Sequence, residues 1–596
     1  MPMDFSAHRT FLDVKRSLGG KRWIERMSPR QANAALEMTQ KTDVSEIVAR
    51  VLAGRDIVTA QVEQFLDPTL RELMPDPHAI TDNEAAAGRI ARAIYDKEKV
   101  AIFGDYDVDG AASSALLARF LRAFGLDVNI HIPDRIFEGY GPNPTAMAQL
   151  ARQASLIITV DCGTNSAEAF SAIEGSATDF VVIDHHQVGG ELPQVVAVVN
   201  PNREDDFSGL GHLCAAGVVF MTLVEVARQL KKAGEARSPN LLGYLDLVAL
   251  ATVCDVVPLV GLNRAFVKKG IIVARSRKNP GMVALAASAR IGEPLAPYHF
   301  GYVLGPRINA GGRIGDASLG AKLLATDDVE EAGQLAAQLD DLNRQRQGAE
   351  QVMVEEAKAS VAGEMETENP PSVIVVASRD WHPGIVGLIA ARLKEAFNRP
   401  AVAISIDQNG KGTGSARSVL GFDIGKLVRS AVDEGLLSKG GGHSMAAGLT
   451  VASDQIGALR SHFEGKSAEA VTQLTADAVL KLDGALSSGA VSAELVTQLD
   501  TVGPYGAGHD QPLFAFPNHI VRFAKIVGNG HLKMSLEGNA TRAIDAIAFR
   551  AADGPMGQTL LNANGETLHF AGTISMNRFN GREVPQLRVV DVAEPV

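Results

Sequence analysis

The sequence is poor in cysteine: Cys162, Cys214 and Cys254 are the only three in 596 residues, far apart and without a C-x-x-C pair. A disulfide framework is thereby excluded, and a thiolate zinc site is argued against. No stretch approaches the roughly 18 uninterrupted apolar residues of a membrane span. The opening MPMDFSAHRTFLDVKRSLGGKRW holds no apolar core of secretory length. A reducing, cytoplasmic location with no membrane contact is the expectation. Positive charge is not in excess either. The net charge of −12 argues against a protein that coats nucleic acid by charge alone, though not against a local basic groove. Neither a fixed-period repeat nor a low-complexity tract occurs.

What the sequence does have is apolar material, 46% of residues against 21% charged, enough for several cores. Its length calls for two to four domains. From residue 96 to about 260 the runs KVAIFG, DVNIHIP, LIITVD, FVVID and VVAVVN alternate with helical stretches such as AASSALLARFLRAFG. Each run is nearly continuous in apolar residues, as in parallel strands covered on both faces. The fold class is therefore α/β, beginning with a doubly wound domain that builds its site at the carboxyl ends of its strands. Residues 327–362 carry helical periodicity without proline and predict a long connecting helix, broken by ETENPPS. A second α/β pattern runs from VIVVAS to about residue 465. After residue 480, short alternating strands separated by Gly and Asn predict a small β-barrel of the OB type. The expected division is an N-terminal extension at 1–70, the first α/β domain at 71–325, the connecting helix at 326–366, the second α/β domain at 367–465 and the barrel at 466–596.

Acidic and histidine residues gather where the first strands end. AIFG runs into Asp105, Asp107 and Asp109; LIITV into Asp161; FVVI into Asp184, His185 and His186. The helical YLDLVALATVCDVVPL adds Asp246 and Asp255. Like charges so close demand a strong counter-charge, and carboxylates with imidazoles suit Mn²⁺ or Mg²⁺. So many ligands can hold two ions, which about 3.5–4 Å apart generate hydroxide and clamp an in-line phosphoryl displacement. An EF-hand is excluded, because the twelfth residue from Asp105 is Leu116 instead of a bidentate Glu.

GDYDVDG, ITVDCG, VVIDHH and LVALATVCDVVPL, in this order and spacing, resemble the four motifs of the DHH phosphoesterase superfamily. GPRINAGGRIGDAS, LNRQRQ, WHPGIVGLIAARL, GSARS and KGGGHSMAAG are similar to its branch of single-stranded-DNA-specific exonucleases. The resemblance implies a DHH domain, a DHHA1 domain joined by the long helix, and an OB-fold domain. It implies 5′→3′ degradation of single-stranded DNA to mononucleotides with Mn²⁺ or Mg²⁺, in DNA repair and recombination. It implies metal ligation by Asp105, Asp107, Asp109, Asp161, His185 and Asp255, with Asp161 bridging and Asp246 the runner-up to Asp255. Asp184 and His186 complete the signature triplet, His186 on the phosphate or nucleophile side. A single-strand-binding protein and a RecQ-type helicase are implied as partners on the same basis.

Substrate residues are expected elsewhere. The backbone of KGGGHSMAAG, with Gly441 and Gly442, can cradle phosphate, and His443 can reach a scissile oxygen. Arg307, Arg313 and Arg417, read as lying in glycine-flanked loops with Asn309 and Ser418 beside them, are candidates for a 5′-phosphate. Tyr140 and Asn143 of FEGYGPN sit near the metal station. In the barrel, Phe516, Phe523, Phe549 and Phe579 interleave with Arg522, Lys525, Lys533, Arg578 and Arg588, the composition of a single-strand platform. GPYGAGHDQPLF departs from the family pattern at His509 and Asp510, where relatives commonly have Asn and Pro or Glu. Two rival readings are a phosphodiesterase of short oligoribonucleotides or cyclic dinucleotides, and a non-catalytic scaffold. The barrel disfavours the first and the complete ligand set the second.

Overall fold

The computed structural model describes residues 9–134, 138–139, 141–173, 175–235, 237–476, 478–538, 542–579 and 582–595. The expected Tyr140 and the side chain of Phe579 lie outside the described residues. No helix among them is long and apolar enough to cross a membrane.

The first sheet holds β1 (Val100–Gly104), β2 (Val128–His131), β3 (Leu156–Val160), β4 (Asp179–Ile183) and β5 (Ala197–Val199). All pairings are parallel, in the order β2-β1-β3-β4-β5. Chain order reverses beside β1, which opens a crevice beyond the strand ends. Helix α1 (Val108–Ala123) starts at once after β1, because Asp107 caps it and Gly110 lets the turn close. A Cβ at Gly110 would stand 2.4 Å from the Asp105 carbonyl oxygen. Helices α2 (Ala215–Lys232), α3 (Leu245–Cys254), α4 (Gly261–Arg275) and α5 (Gly305–Ile314) complete this domain.

Helix α6 (Val329–Met365) has 37 residues and so spans about 55 Å. Beyond it, β6 (Ile374–Ser378), β7 (Ala401–Ile406), β8 (Lys411–Arg417), β9 (Lys439–Gly442) and β10 (Ala446–Ala452) form a mixed sheet ordered β9-β10-β8-β7-β6. Helix α7 (Ala493–Val502) leads to the last sheet, made of β11 (Phe514–Val527), β12 (His531–Glu537), β13 (Ile544–Ala548), β14 (Thr567–Phe579) and β15 (Arg582–Ala593). Here β11 pairs with both β12 and β14, β12 with β13, β13 in parallel with β15, and β15 with β14. The ring closes, with the connectivity of an OB barrel.

The N-terminal region, expected as an extension at 1–70, packs with the C-terminal part of the chain. Arg22–Glu25 pairs in parallel with Val479–Leu482. Trp23 is fully buried and donates its indole N–H to Asp591 at 2.9 Å, and Ser17 donates to the same carboxylate at 2.6 Å. Met38, Leu52, Phe514, Phe516 and Val592 share one core. Residues before the first domain and after the second thus build a single C-terminal lobe. The pairing is long-range, so no local sequence pattern announces it. Helix Ile456–Ala476 also runs across the boundary expected at residue 465.

Candidate metal centre

Each acidic station is placed by a different device. Asp107 uses Oδ1 to cap α1, accepting from the Asp109 and Gly110 N–H groups at 2.8 and 3.1 Å. Asp109 is buried on the first turn of α1, where both its oxygens accept from the N-terminus of α2, Ala215 N at 2.6 Å and Ala216 N at 2.9 Å. Those N–H groups are the free donors of a helix start, suited to an anion. Asp161 follows β3 with φ +62, a conformation open to Asp at modest cost. Its Oδ1 is buried and accepts no hydrogen bond.

His185 Nδ1 lies 3.1 Å from the Leu213 carbonyl oxygen, which can only accept. Nδ1 therefore donates to that carbonyl, which turns Nε2 toward the carboxylates. That nitrogen is 3.2 Å from Asp161 Oδ1 and 3.8 Å from an oxygen of both Asp109 and Asp255. Since Asp161 Oδ1 accepts no bond from it, the two atoms are arranged like ligands of one ion. Three overlapping three-ligand sets result: Asp109, His185 and Asp255; Asp105, Asp107 and Asp161; and Asp161, His185 and His186, with the donor atoms of each within 4.8 Å of one another. Asp161 and His185 each stand in two of them. Asp246, the alternative to Asp255, is buried in α3 and belongs to none.

The charges of this cluster call for a counter-ion. Two like charges about 4 Å apart repel by about 4 kcal/mol at an effective dielectric near 20. Burial, then repulsion from Asp109 and Asp107, pushes Asp255 up to about 9. Burial followed by the charges of Asp109, Asp107 and Asp105 raises Asp161 well above the usual range. Asp109 is raised too, chiefly by burial. Carboxylates held so far from their preferred state fit divalent cations, and oxygen donors with one imidazole suit Mn²⁺ or Mg²⁺.

Asp184 has another task. Burial works to raise it, but His186 Nδ1 at 2.8 Å and the Thr164 N–H hold it well below the carboxylate range. Burial likewise disfavours the charged His186, yet the Asp184 bond lifts it to about 9, so it is a cation at neutral pH.

Several positioning residues escaped the sequence reading. Asn202 Nδ2 donates to the His185 carbonyl at 2.5 Å, and Asn200 Nδ2 to the His186 carbonyl and to Thr164 Oγ1, each at 2.9 Å. Their signal was an Asn-x-Asn at the end of β5, on the edge that carries the ligands. The Ala215 and Ala216 donors had none, because every residue carries an N–H.

The substrate candidates need correction. Arg307, Asn309 and Arg313 are on helix α5, not in loops. The glycines around them permit close helix packing: a Cβ at Gly312 would lie 2.8 Å from the Tyr106 carbonyl oxygen, and at Gly305 2.6 Å from Cys254 Sγ. Arg307 is spent on Asp340 of α6 at 2.9 Å and on the Val303 carbonyl. Arg313 reaches the Gly384 carbonyl of the next domain at 3.1 Å. Arg417 ends β8 and bonds Ser415 and the Ala416 carbonyl. Ser418 is buried, its hydroxyl donated to the Phe422 carbonyl at 2.7 Å. Gly441 and Gly442 belong to edge strand β9, paired with Gly448 and Ala447 in a hairpin. His443 is exposed at its tip. Asn143 caps helix Pro144–Ala151.

In the barrel, Phe516 is core, while Phe523 and Phe549 are exposed. Arg588 lies over the Phe549 ring at 4.7 Å. Lys525 pairs directly with Lys533, Lys533 with Ile547, and Ile547 with Arg588, a basic row across four strands. Arg522 is tied to Glu537, and Arg578 to Glu583.

Residues 99–252 match the N-terminal domain of the DHH family, 370–469 the DHHA1 domain and 482–591 the RecJ OB domain. The single-stranded-DNA-specific exonuclease RecJ of Salmonella typhimurium is 32% identical over 94% of this chain and 98% of its own length. That of Bacillus subtilis is 32% identical over 93% of this chain and 69% of its own. The crystal structure of Thermus thermophilus RecJ with Mn²⁺ superposes with a TM-score of 0.76 at 27% identity, covering 96% of this chain and 78% of that one. Its Mg²⁺ complex gives 0.71, with 96% and 77% covered. Three domain matches in the right order, full-length similarity and a ligand cluster at the sheet edge agree: the chain belongs to the RecJ family of single-stranded-DNA-specific exonucleases.

Proposed function

We propose that the chain degrades single-stranded DNA from the 5′ end, releasing mononucleotides by metal-dependent phosphodiester hydrolysis in DNA repair and recombination. The observation that carries this reading is the buried, unbonded Asp161 Oδ1, which is shared by two of the ligand sets. Asp105, Asp107 and Asp161 would hold one Mn²⁺ or Mg²⁺, and Asp109, His185 and Asp255 the other, with Asp161 within reach of both. Bound divalent ions supply Lewis acidity that activates water and offsets phosphate charge.

The protein's own groups do the rest. Asp109 and His185 are fixed by the α2 N-terminus and the Leu213 carbonyl, so the ligands need not reorganise. Protonated His186, oriented by Asp184, offers a charge-assisted hydrogen bond to a phosphate oxygen. His443 and Arg313 remain candidates for the approaching strand, with Arg417 beside them at the end of β8. Opposed lysines in a sheet repel, and Asp545, 3.9 Å from Lys533, offsets that only in part; a phosphate backbone above the Lys525–Lys533 pair would complete the neutralisation, with Phe523 and Phe549 for the bases. Selectivity for single strands would be steric, in a passage between the first two domains.

The working division keeps the DHH domain, connecting helix and DHHA1 domain near 71–325, 326–366 and 367–465, with 1–70 and 466–596 acting as one lobe. The family resemblance supports a cytoplasmic setting and work alongside a single-strand-binding protein and a RecQ-type helicase.

The test uses 5′-labelled and 3′-labelled single-stranded DNA with Mn²⁺, comparing the native chain with Asp161→Ala. Immediate release of a labelled mononucleotide from the 5′ end, absent in the variant and on blunt duplex, supports the reading. An intact strand beside a cleaved dinucleotide overturns it in favour of a small-substrate phosphodiesterase.

A further inference from the structure

The departure noted at His509 lies in a loop that packs on the turn leaving Asp255. Asp255 ends α3, and the chain leaves it through Val256 at φ +59. A β-branched residue rarely adopts this conformation, and Val256 is 69% exposed, so its own burial does not hold it there. The turn is tied from both sides. The Leu259 N–H donates to the Ala507 carbonyl of the C-terminal lobe at 2.8 Å. Gly506 and Gly508 admit Leu259 and Pro258: added Cβ atoms would lie 2.8 Å from Leu259 Cδ1 and 3.1 Å from Pro258 Cβ. From its own domain, the Val256 and Val260 N–H groups donate to the Val253 and Pro258 carbonyls, Asn263 donates its amide to the Pro258 carbonyl, and the Leu259 side chain is buried in the first domain's core.

The loop is itself made rigid. His509 stacks on Tyr505 with centroids 5.1 Å apart, and its Nε2 is 3.0 Å from the Val502 carbonyl oxygen. Tyr505 donates to the Leu499 carbonyl. Arg264 of α4, only 2% exposed, fans across the carbonyls of Val502, Gly503 and Pro504 at 2.7, 2.6 and 3.4 Å and lies 3.8 Å over the Phe65 ring. Those carbonyls are the negative end of α7, which suits a cation without a carboxylate partner.

We propose that the loop 503–509 is a clamp that positions Asp255, so that the metal affinity of the first domain depends on the C-terminal lobe. Leu259, Gly508 and Arg264 are then positioning residues, acting on the ion through Asp255. The inference rests on the metal role proposed for Asp255.

The test is Mn²⁺ binding to the full chain, read by electron paramagnetic resonance on Gly508→Val and Leu259→Ala, with Asp255→Asn as the reference. Loosened support of a ligand costs roughly tenfold in metal affinity, and that loss is expected in both variants at unchanged circular dichroism. Affinity for an oligothymidylate in chelator is expected to stay within about twofold, since phosphate contacts remain. Native-like Mn²⁺ affinity in the folded variants overturns the clamp if Asp255→Asn is itself weakened. If Asp255→Asn binds Mn²⁺ like the native chain, the ligand assignment fails instead. Should Gly508→Val not fold, Leu259→Ala decides by the same readout.

Discussion

Asp161 and Asp483 are both almost fully buried carboxylates, and the chain treats them in opposite ways. Asp483 is met by Arg26 at 3.2 Å and Arg55 at 2.8 Å, and also accepts the Leu513 N–H at 2.9 Å. Asp161 has an oxygen with no hydrogen bond and faces other carboxylates. One charge is neutralised inside the protein and fastens two distant segments together. The other is left for an ion. Burial of an acid therefore says little until its partners are counted.

Four changes would break or sharpen this contrast. Asp161→Asn keeps a side chain that tolerates a positive φ and removes a repelled charge. We expect 5′-nucleotide release to fall by at least ~10³-fold, while the metal-free melting temperature stays level or rises. Asp483→Asn should do the reverse. Stranding two largely buried arginines costs about 3–5 kcal/mol, read as a lower denaturation midpoint, with turnover per folded molecule unchanged.

Chelation exposes the contrast to pH. The Asp255 carboxyl is raised to about 9 in the folded, metal-free chain, against about 4 when unfolded. The native state then binds more protons across that window, so its stability falls as pH rises through it. The melting-temperature gain on adding Mn²⁺ is expected to be larger near pH 8.5 than near pH 6; a gain that shrinks with pH would contradict the cluster. The smallest effect belongs to the surface. Lys533→Gln should weaken oligothymidylate binding and flatten its salt dependence by about one unit, while leaving stability within about 0.5 kcal/mol.

The ligands were legible because an apolar strand ending in Asp or His is a local pattern, and the sheet brings all such ends to one edge. Asp255 and Asp246 could not be separated by sequence, since both belong to one helical motif and only packing shows which one faces His185. The arginines of GPRINAGGRI were misplaced because glycine signals a turn as readily as a close helix contact. The union of the N-terminal segment with the barrel was invisible, since Arg22 and Val479 meet only through the tertiary fold.

That union has a consequence for biosynthesis. Trp23 and Asp591 are 568 residues apart in the chain, and translation proceeds at about 5–20 residues per second. The first segment therefore emerges about 30 s to about 2 min before its partner exists. Through that interval Trp23, Met38 and Leu52 have no core to enter, while the two α/β domains can fold behind them. The nascent chain has to be shielded at the end that left the ribosome first, and a late stop codon would release a protein whose unfolded part is its beginning.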